Sequence, residues 1–179
     1  MRRMTRMFFA ASLLSLSALL PVTALASSHQ LHEYVNGVEY ALGTCSAGDT
    51  GSFAGYGTTL GGVTNAVFNT TICHTPLVAG SASILAGGSF TLVMSNRTLV
   101  GQYVGTSVGP GTVSGNYFCT ETFPVVAALG PAGSKPRGAT NISSGSALGQ
   151  LTHYGLLTHP GECHAYAATI SGLATLNYY

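Results

Sequence analysis

The sequence predicts an all-β protein, a single antiparallel β-barrel with a β-sandwich as the alternative, stabilised by disulfides. Short runs in which apolar and polar residues alternate, bounded by Gly, Pro, Asn and Ser, recur along the chain and are typical of strands and turns. Residues 27–179 contain no segment that has the cap, periodicity and length of a helix. Glycines within the predicted strands, such as Gly101, Gly105, Gly115 and Gly172, permit strong strand coiling and favour the barrel.

The N-terminus is predicted to be a signal peptide that ends at Ala26. Residues 1–6 carry three arginines and no acid, residues 7–20 are apolar, and Ala24-Leu25-Ala26 supplies the small residues that a signal peptidase requires. The alternative is an uncleaved membrane anchor, but Pro21 and the Ala-x-Ala ending favour cleavage. We therefore expect residues 27–179 to form one all-β domain that is secreted or periplasmic.

Few charged side chains remain after residue 26. Three permanent cations face five acids, and this balance offers no basic stripe that would bind nucleic acid. No segment of residues 27–179 is long and apolar enough for a membrane span. We expect the acids to lie on the surface rather than to form the carboxylate pair of a glycoside hydrolase. They are Glu33, Glu39, Asp49, Glu121 and Glu162.

The four cysteines predict two disulfides. An even number of cysteines in an exported chain is typical of an oxidising compartment, and the absence of C-x-x-C spacing disfavours a zinc ribbon or a thioredoxin-like site. Three pairings are open, of which we favour the sequential one. It joins Cys45 to Cys73 and Cys119 to Cys163.

The alternation predicts a three-stranded meander in the middle of the chain. Its strands are 89–95, 98–108 and 112–123, separated by turns at Asn96-Arg97 and Gly109-Pro110-Gly111, where proline cannot continue a strand. The apolar face of the first strand is formed by Phe90, Leu92 and Met94.

Other elements are predicted on either side of the meander. They are a bent strand or strand pair at 31–42, a strand at 63–73, a long Pro/Gly/Ser-rich loop at 130–146, and a final hairpin of 147–158 and 163–178 around His159-Pro160-Gly161. In the strand at 63–73, Ala66, Phe68 and Ile72 share one face.

Four tyrosines in predicted strands are candidate ligand-binding residues: Tyr103, Tyr117, Tyr154 and Tyr166. A tyrosine has an apolar ring and a polar tip, so a group of them could line a barrel mouth that holds a sugar or an apolar molecule. The alternative is ordinary packing of the barrel wall.

The sequence assigns no catalytic residue, metal site or cofactor. His153, His159 and His164 surround Glu162, and such residues can bind zinc or copper, but His159 precedes a turn and would lie about 20 Å from His153 on one extended strand. We therefore expect solvated histidines and no bound metal. There is also no G-x-S-x-G elbow and no phosphate-binding loop.

Parts of the second half resemble small exported bacterial barrels similar to the allene oxide cyclase and dirigent barrels. Residues 88–106 resemble their repeated hairpin, in which an F-T-L strand turns into a T-L-x-G-x-Y-x-G strand. Residues 138–145 resemble their Gly-rich connection, and residues 170–176 resemble their closing strand. This chain departs from the pattern in its Asn96-Arg97 turn and its cysteines, and the plant enzymes' catalytic residues have no counterpart here. The resemblance therefore implies architecture rather than activity.

Three functions follow as hypotheses. The favoured one is a non-enzymatic binding or surface-interaction module for a small apolar or carbohydrate ligand, because catalytic constellations are scarce. The second is a cyclase- or dirigent-like enzyme whose cavity shapes a reactive substrate. The third is a pilus or fibre subunit, because the alternation in residues 172–179 and the penultimate Tyr178 resemble a donor-strand pilin.

Overall fold

The computed structural model describes residues 27–46, 48–60 and 65–179. The described residues form nine strands and no helix, which confirms the all-β prediction. The strands are β1 (His29–Cys45), β2 (Gly48–Thr59), β3 (Asn65–His74), β4 (Ser83–Val93), β5 (Thr98–Val108), β6 (Thr112–Gly115), β7 (Phe118–Gly130), β8 (Thr140–His159) and β9 (Glu162–Tyr178).

The signal peptide predicted at residues 1–26 lies outside the described residues. Within them, the structure contains no helix with the length and apolar character needed to cross a membrane.

Eight strands close into a ring in the order β1-β2-β3-β4-β5-β7-β8-β9, with β9 paired back to β1. Every neighbouring pair in this ring is antiparallel. The ring is one continuous sheet rather than the two separate sheets of a sandwich, so the predicted closed architecture is confirmed. The ninth strand, β6, extends the ring beyond β5, because both pair with the same side of β7.

Alternate residues of each of the eight ring strands face the interior of the ring and form its core. The predicted apolar face of Phe90, Leu92 and Met94 is buried, as are Ala66 and Phe68 on β3. The largest side chains that are fully buried include Phe53, Phe123, Leu85, Leu92, Leu99, Ile142 and Leu176.

Both predicted disulfides form, and they lie at the same end of the ring. Cys45 at the end of β1 is bonded to Cys73 on β3, and Cys119 on β7 is bonded to Cys163 on β9. Each bond therefore links two strands across the strand between them. We call the end that carries these four cysteines the disulfide end.

Two predicted elements have to be corrected, and one strand has to be added. Residues 112–123 are not one strand, because Gly115 at a φ of +103° ends β6 and β7 begins at Phe118. The predicted loop at 130–146 is shorter, since β8 already begins at Thr140. The strand β2 was not predicted at all. By contrast, residues 31–42 belong to one strand, and the final hairpin is confirmed.

Candidate functional site

A cavity of about 50 Å³ lies in the middle of the ring and is lined almost entirely by apolar side chains. It exists because large and small residues face each other across the ring. Ala127, Ala147 and Ala174 are directly paired across β7, β8 and β9. Large side chains line the cavity as well, among them Phe68, Phe90, Leu92 and Tyr103.

The wall beside these alanines depends on a pair of glycines. Gly149 and Gly172 are partners in the β8–β9 pairing. A Cβ atom on either one would collide with the backbone of the opposite strand. Glycine is therefore required here for the close approach of the two strands.

A second, more polar cavity of about 280 Å³ lies at the disulfide end. Glu39, Asp49, His74 and His153 contribute to its wall, together with apolar residues such as Phe53 and Leu151. Ile72 belongs to the walls of both cavities. Among the described residues that line the two cavities there is no Arg or Lys.

The expectation that the acids lie on the surface is wrong for three of the five. Glu33 is 0% exposed and Glu121 is 7% exposed, while Glu39 is half-buried and faces the ring interior. Only Asp49 and Glu162 are exposed as predicted. The expectation was wrong because each buried acid occupies an alternate strand position that ring closure turns inward.

Two of these carboxyls occupy space that glycines on β2 leave free. A Cβ on Gly57 would lie 2.5 Å from Glu33 Oε1, and a Cβ on Gly51 would lie 2.7 Å from Glu39 Oε1. Thr59 Oγ1 donates a hydrogen bond of 2.8 Å to Glu33 Oε2, whereas Glu33 Oε1 has no hydrogen-bond partner in the described structure. Burial raises the pKa of Glu33 more than this hydrogen bond lowers it, and burial also raises the pKa of Glu39.

His153 lies between Glu121 and the ring of Phe123. Its Nδ1 atom is 3.9 Å from Glu121 Oε2, and the two ring centroids of His153 and Phe123 are 5.3 Å apart. Burial lowers the pKa of His153, and the charge of nearby His74 lowers it further. Burial raises the pKa of Glu121. The low polarity at this position therefore favours a neutral imidazole at neutral pH.

His74 is the second inward histidine at this end. It is 8% exposed, and its Nδ1 atom donates a hydrogen bond of 2.8 Å to the Thr75 carbonyl. The sequence signal for it was present, because His74 continues the inward face of Ala66, Phe68 and Ile72. Glu121 likewise shares the face of Phe123 and Val125 on β7.

The four predicted tyrosines do not line one mouth. The Tyr103 hydroxyl lies inside the ring, 2.7 Å from Thr70 Oγ1, and burial raises the pKa of Tyr103 to about 12 despite this hydrogen bond. Tyr117, Tyr154 and Tyr166 are exposed on the outside. Tyr154 and Tyr166 border an outer hollow of about 370 Å³. Ligand binding by these tyrosines remains a prediction.

The three clustered histidines are also separated. His153 lines the polar cavity, whereas His164 is exposed and His159 pairs with Glu162 at 3.3 Å across the β8–β9 turn. In the described ranges no three His, Cys, Asp or Glu residues are arranged to hold a metal ion.

Comparisons with known proteins add no assignment. No protein-family model matches the chain, and no curated protein or solved structure is significantly similar to it. The likeness to the allene oxide cyclase and dirigent barrels therefore stays a prediction, and the interpretation of the site depends on its geometry.

Replacing Glu33 with Gln is expected to stabilise the protein at neutral pH. The folded-state pKa of Glu33 is raised above its ordinary value of about 4.5, so its ionisation opposes folding as pH rises through the raised pKa. We expect a gain on the order of 1 kcal/mol at pH 7, because the amide carries no charge that burial penalises, and this gain should vanish below the ordinary carboxyl pKa. Denaturant unfolding at several pH values measures it.

The matched control is Glu162→Gln, which changes an exposed acid. It should leave the pH dependence of unfolding nearly unchanged. A Glu33→Gln protein that gains no stability relative to the wild type as pH rises would contradict the prediction.

Proposed function

We propose that this protein is exported after removal of residues 1–26 and binds a small, uncharged amphiphilic molecule inside its ring. The observation that carries the proposal is the pair of adjoining cavities, one apolar and one polar, within a closed sheet. Rings of about eight strands are either filled by side chains or hold one small ligand. The two disulfides are compatible with an oxidising extracellular or periplasmic location.

The lining favours one orientation and one charge class of ligand. An apolar body fits beside Phe90 and Ala127, and a hydroxyl or similar polar end fits beside Glu39 and His153. An anionic end is disfavoured, because the described lining offers carboxyls and no permanent cation. The sequence predicts a small apolar or carbohydrate ligand. Of these classes, the cavity lining favours an apolar molecule with a neutral polar end.

The closed ring favours this binding function over a pilus or fibre subunit. A donor-strand subunit needs an open groove that a neighbouring chain completes. Here β9, which carries the pilin-like residues 172–178, is paired with β1 on one side and β8 on the other. The polar cavity supports a second candidate function, that of an enzyme.

The test titrates the protein with 1-octanol and with octanoate and follows methyl and amide NMR shifts. We expect octanol to bind and octanoate to bind at least about tenfold more weakly, because burying a carboxylate beside carboxyls is unfavourable. Ala127→Met should weaken octanol binding by about tenfold or more, since the added side chain fills the apolar cavity.

The matched control is the neighbouring residue on the same strand, Ala128, which is exposed. Ala128→Met should leave octanol binding unchanged. If octanol does not bind, or if both methionine variants weaken it equally, the ring interior is not the binding site.

A further inference from the structure

The polar cavity contains a histidine arranged as a proton acceptor. His153 lines the cavity with its Nδ1 atom turned toward Glu121 Oε2, and Glu121 itself is 7% exposed. A carboxylate on this side of an imidazole favours the tautomer that carries its proton on Nδ1. Nε2 then keeps its lone pair, and it makes no hydrogen bond to the part of the chain that the structure describes.

The imidazole is held in place by its surroundings. The ring of Phe123, itself 0% exposed, packs edge-on against His153 on one side. The pairing partners of His153 are Glu121 on β7 and Ala168 on β9, so its position is set by three hydrogen-bonded strands rather than by a loop. Such support is what a reactive side chain needs to keep a productive geometry.

We propose that the polar cavity is a proton-transfer site, in which Nε2 of His153 removes a proton from a carbon atom of a neutral ligand while Glu121 acts as a positioning residue at Nδ1. The inference rests on the proposed function, because the ligand must first enter the ring. The substrate class is a carbon acid, such as a carbonyl compound with a proton on the adjacent carbon. The reaction class is an isomerisation or elimination that begins with loss of that proton.

The electrostatic surroundings agree with this role. The titratable groups that face His153 or its cavity are Glu39 from β1, Asp49 from β2, His74 from β3 and Glu121 from β7. Burial and the charge of His74 lower the pKa of His153, which keeps the imidazole neutral and able to accept a proton at neutral pH. In its protonated form, Glu39 can donate a hydrogen bond to an oxygen that gains negative charge.

The probe for this activity is 5-nitrobenzisoxazole, a small neutral carbon acid. His153 takes the proton from the ring carbon, the electron pair of the broken C–H bond enters the new C≡N bond, and the N–O bond breaks to release a cyanonitrophenolate. The imidazolium then gives its proton to water. The coloured phenolate reports the rate, so no oxidant or other reactant is required.

We expect the wild-type protein to accelerate this reaction, with kcat/KM rising with pH and levelling above the pKa of His153. His153→Phe should lower kcat/KM by about 100-fold or more, the usual size of a general-base contribution. His159→Phe removes an exposed histidine from the same strand and should leave the rate unchanged. His153→Gln is measured as well, and thermal melting verifies that each variant is folded.

Glu121→Gln tests the positioning role through the pH profile. The neutral amide no longer attracts the imidazolium, so the midpoint of the profile should move to lower pH and the plateau should fall. A merely structural role for Glu121 would lower stability without moving this midpoint.

Binding is measured separately with indole, an unreactive molecule of similar shape. If indole binds but folded His153 variants turn over the probe as fast as the wild type, the proton-transfer role is overturned and ligand binding stands. An unchanged profile midpoint in Glu121→Gln overturns the positioning role. If neither indole nor octanol binds, both the proton-transfer site and the proposed function are overturned.

Discussion

Removing the Cys119–Cys163 disulfide by the double substitution C119A/C163A is expected to lower the free energy of unfolding by about 4 kcal/mol. The two cysteines are 44 residues apart, and in the chain-entropy model a crosslink over that separation restricts the unfolded state by about this amount. The bond also joins β7 to β9 across β8, close to Glu121 and His153. Guanidinium denaturation of the oxidised wild type and the double variant measures the difference.

The companion variant C45A/C73A provides the comparison. Its cysteines are 28 residues apart, so the same model gives a loss of about 3.5 kcal/mol. Because this bond joins β1 to β3, neither of which carries Glu121 or His153, its removal should leave proton transfer to the probe less affected than removal of the Cys119–Cys163 bond. An unfolding midpoint that does not change in C119A/C163A would contradict the expectation.

Replacing Phe123 with Ala is expected to cost about 3–5 kcal/mol of stability, the usual range for truncating a buried aromatic side chain. Phe123 is 0% exposed and belongs to the core of the ring. Its ring fills the space beside Gly111 so closely that a Cβ on that glycine would collide with it. The truncation therefore leaves a void next to the His153 imidazole, and both the unfolding free energy and the pH profile of His153 should change.

Phe118→Ala is the matched control on the same strand. Phe118 is 67% exposed, so its truncation should change the unfolding free energy by no more than about 0.5 kcal/mol. Equal losses of unfolding free energy in the two variants would contradict the assignment of Phe123 to the core.

The strands that could be predicted from the sequence are those with regular alternation. On β3 the local pattern alone identified Ala66, Phe68 and Ile72 as one face, and that face is buried. The strand β2 was missed because its inward positions include Gly51 and Gly57, which leave Phe53 as the one large apolar side chain that the segment buries. The space beside these two glycines is filled by Glu33 and Glu39 of β1. The local sequence of β2 contains no sign of these side chains.

The candidate site could not be predicted for a related reason. Alternation indicates which residues share a face, but it does not indicate whether that face points into the ring. Tyr103 and Tyr154 both lie in strands, yet the first is inside and the second is outside. An acid such as Glu33 or Glu121 is normally expected at the surface, and its burial depends on pairings between strands that are distant in sequence.

The edges of the sheet decide where a second chain could add a strand. The free edge of β6 is only four residues long and ends at Gly115, whose positive φ turns the chain away. The pairing of β1 with β9 ends at Val38 and Thr169, so within the described residues 39–45 and 162–168 each keep one edge without a partner strand. Edge-to-edge association of two chains is therefore expected at these flanks, which lie at the disulfide end, rather than at β6, where few backbone hydrogen bonds could form.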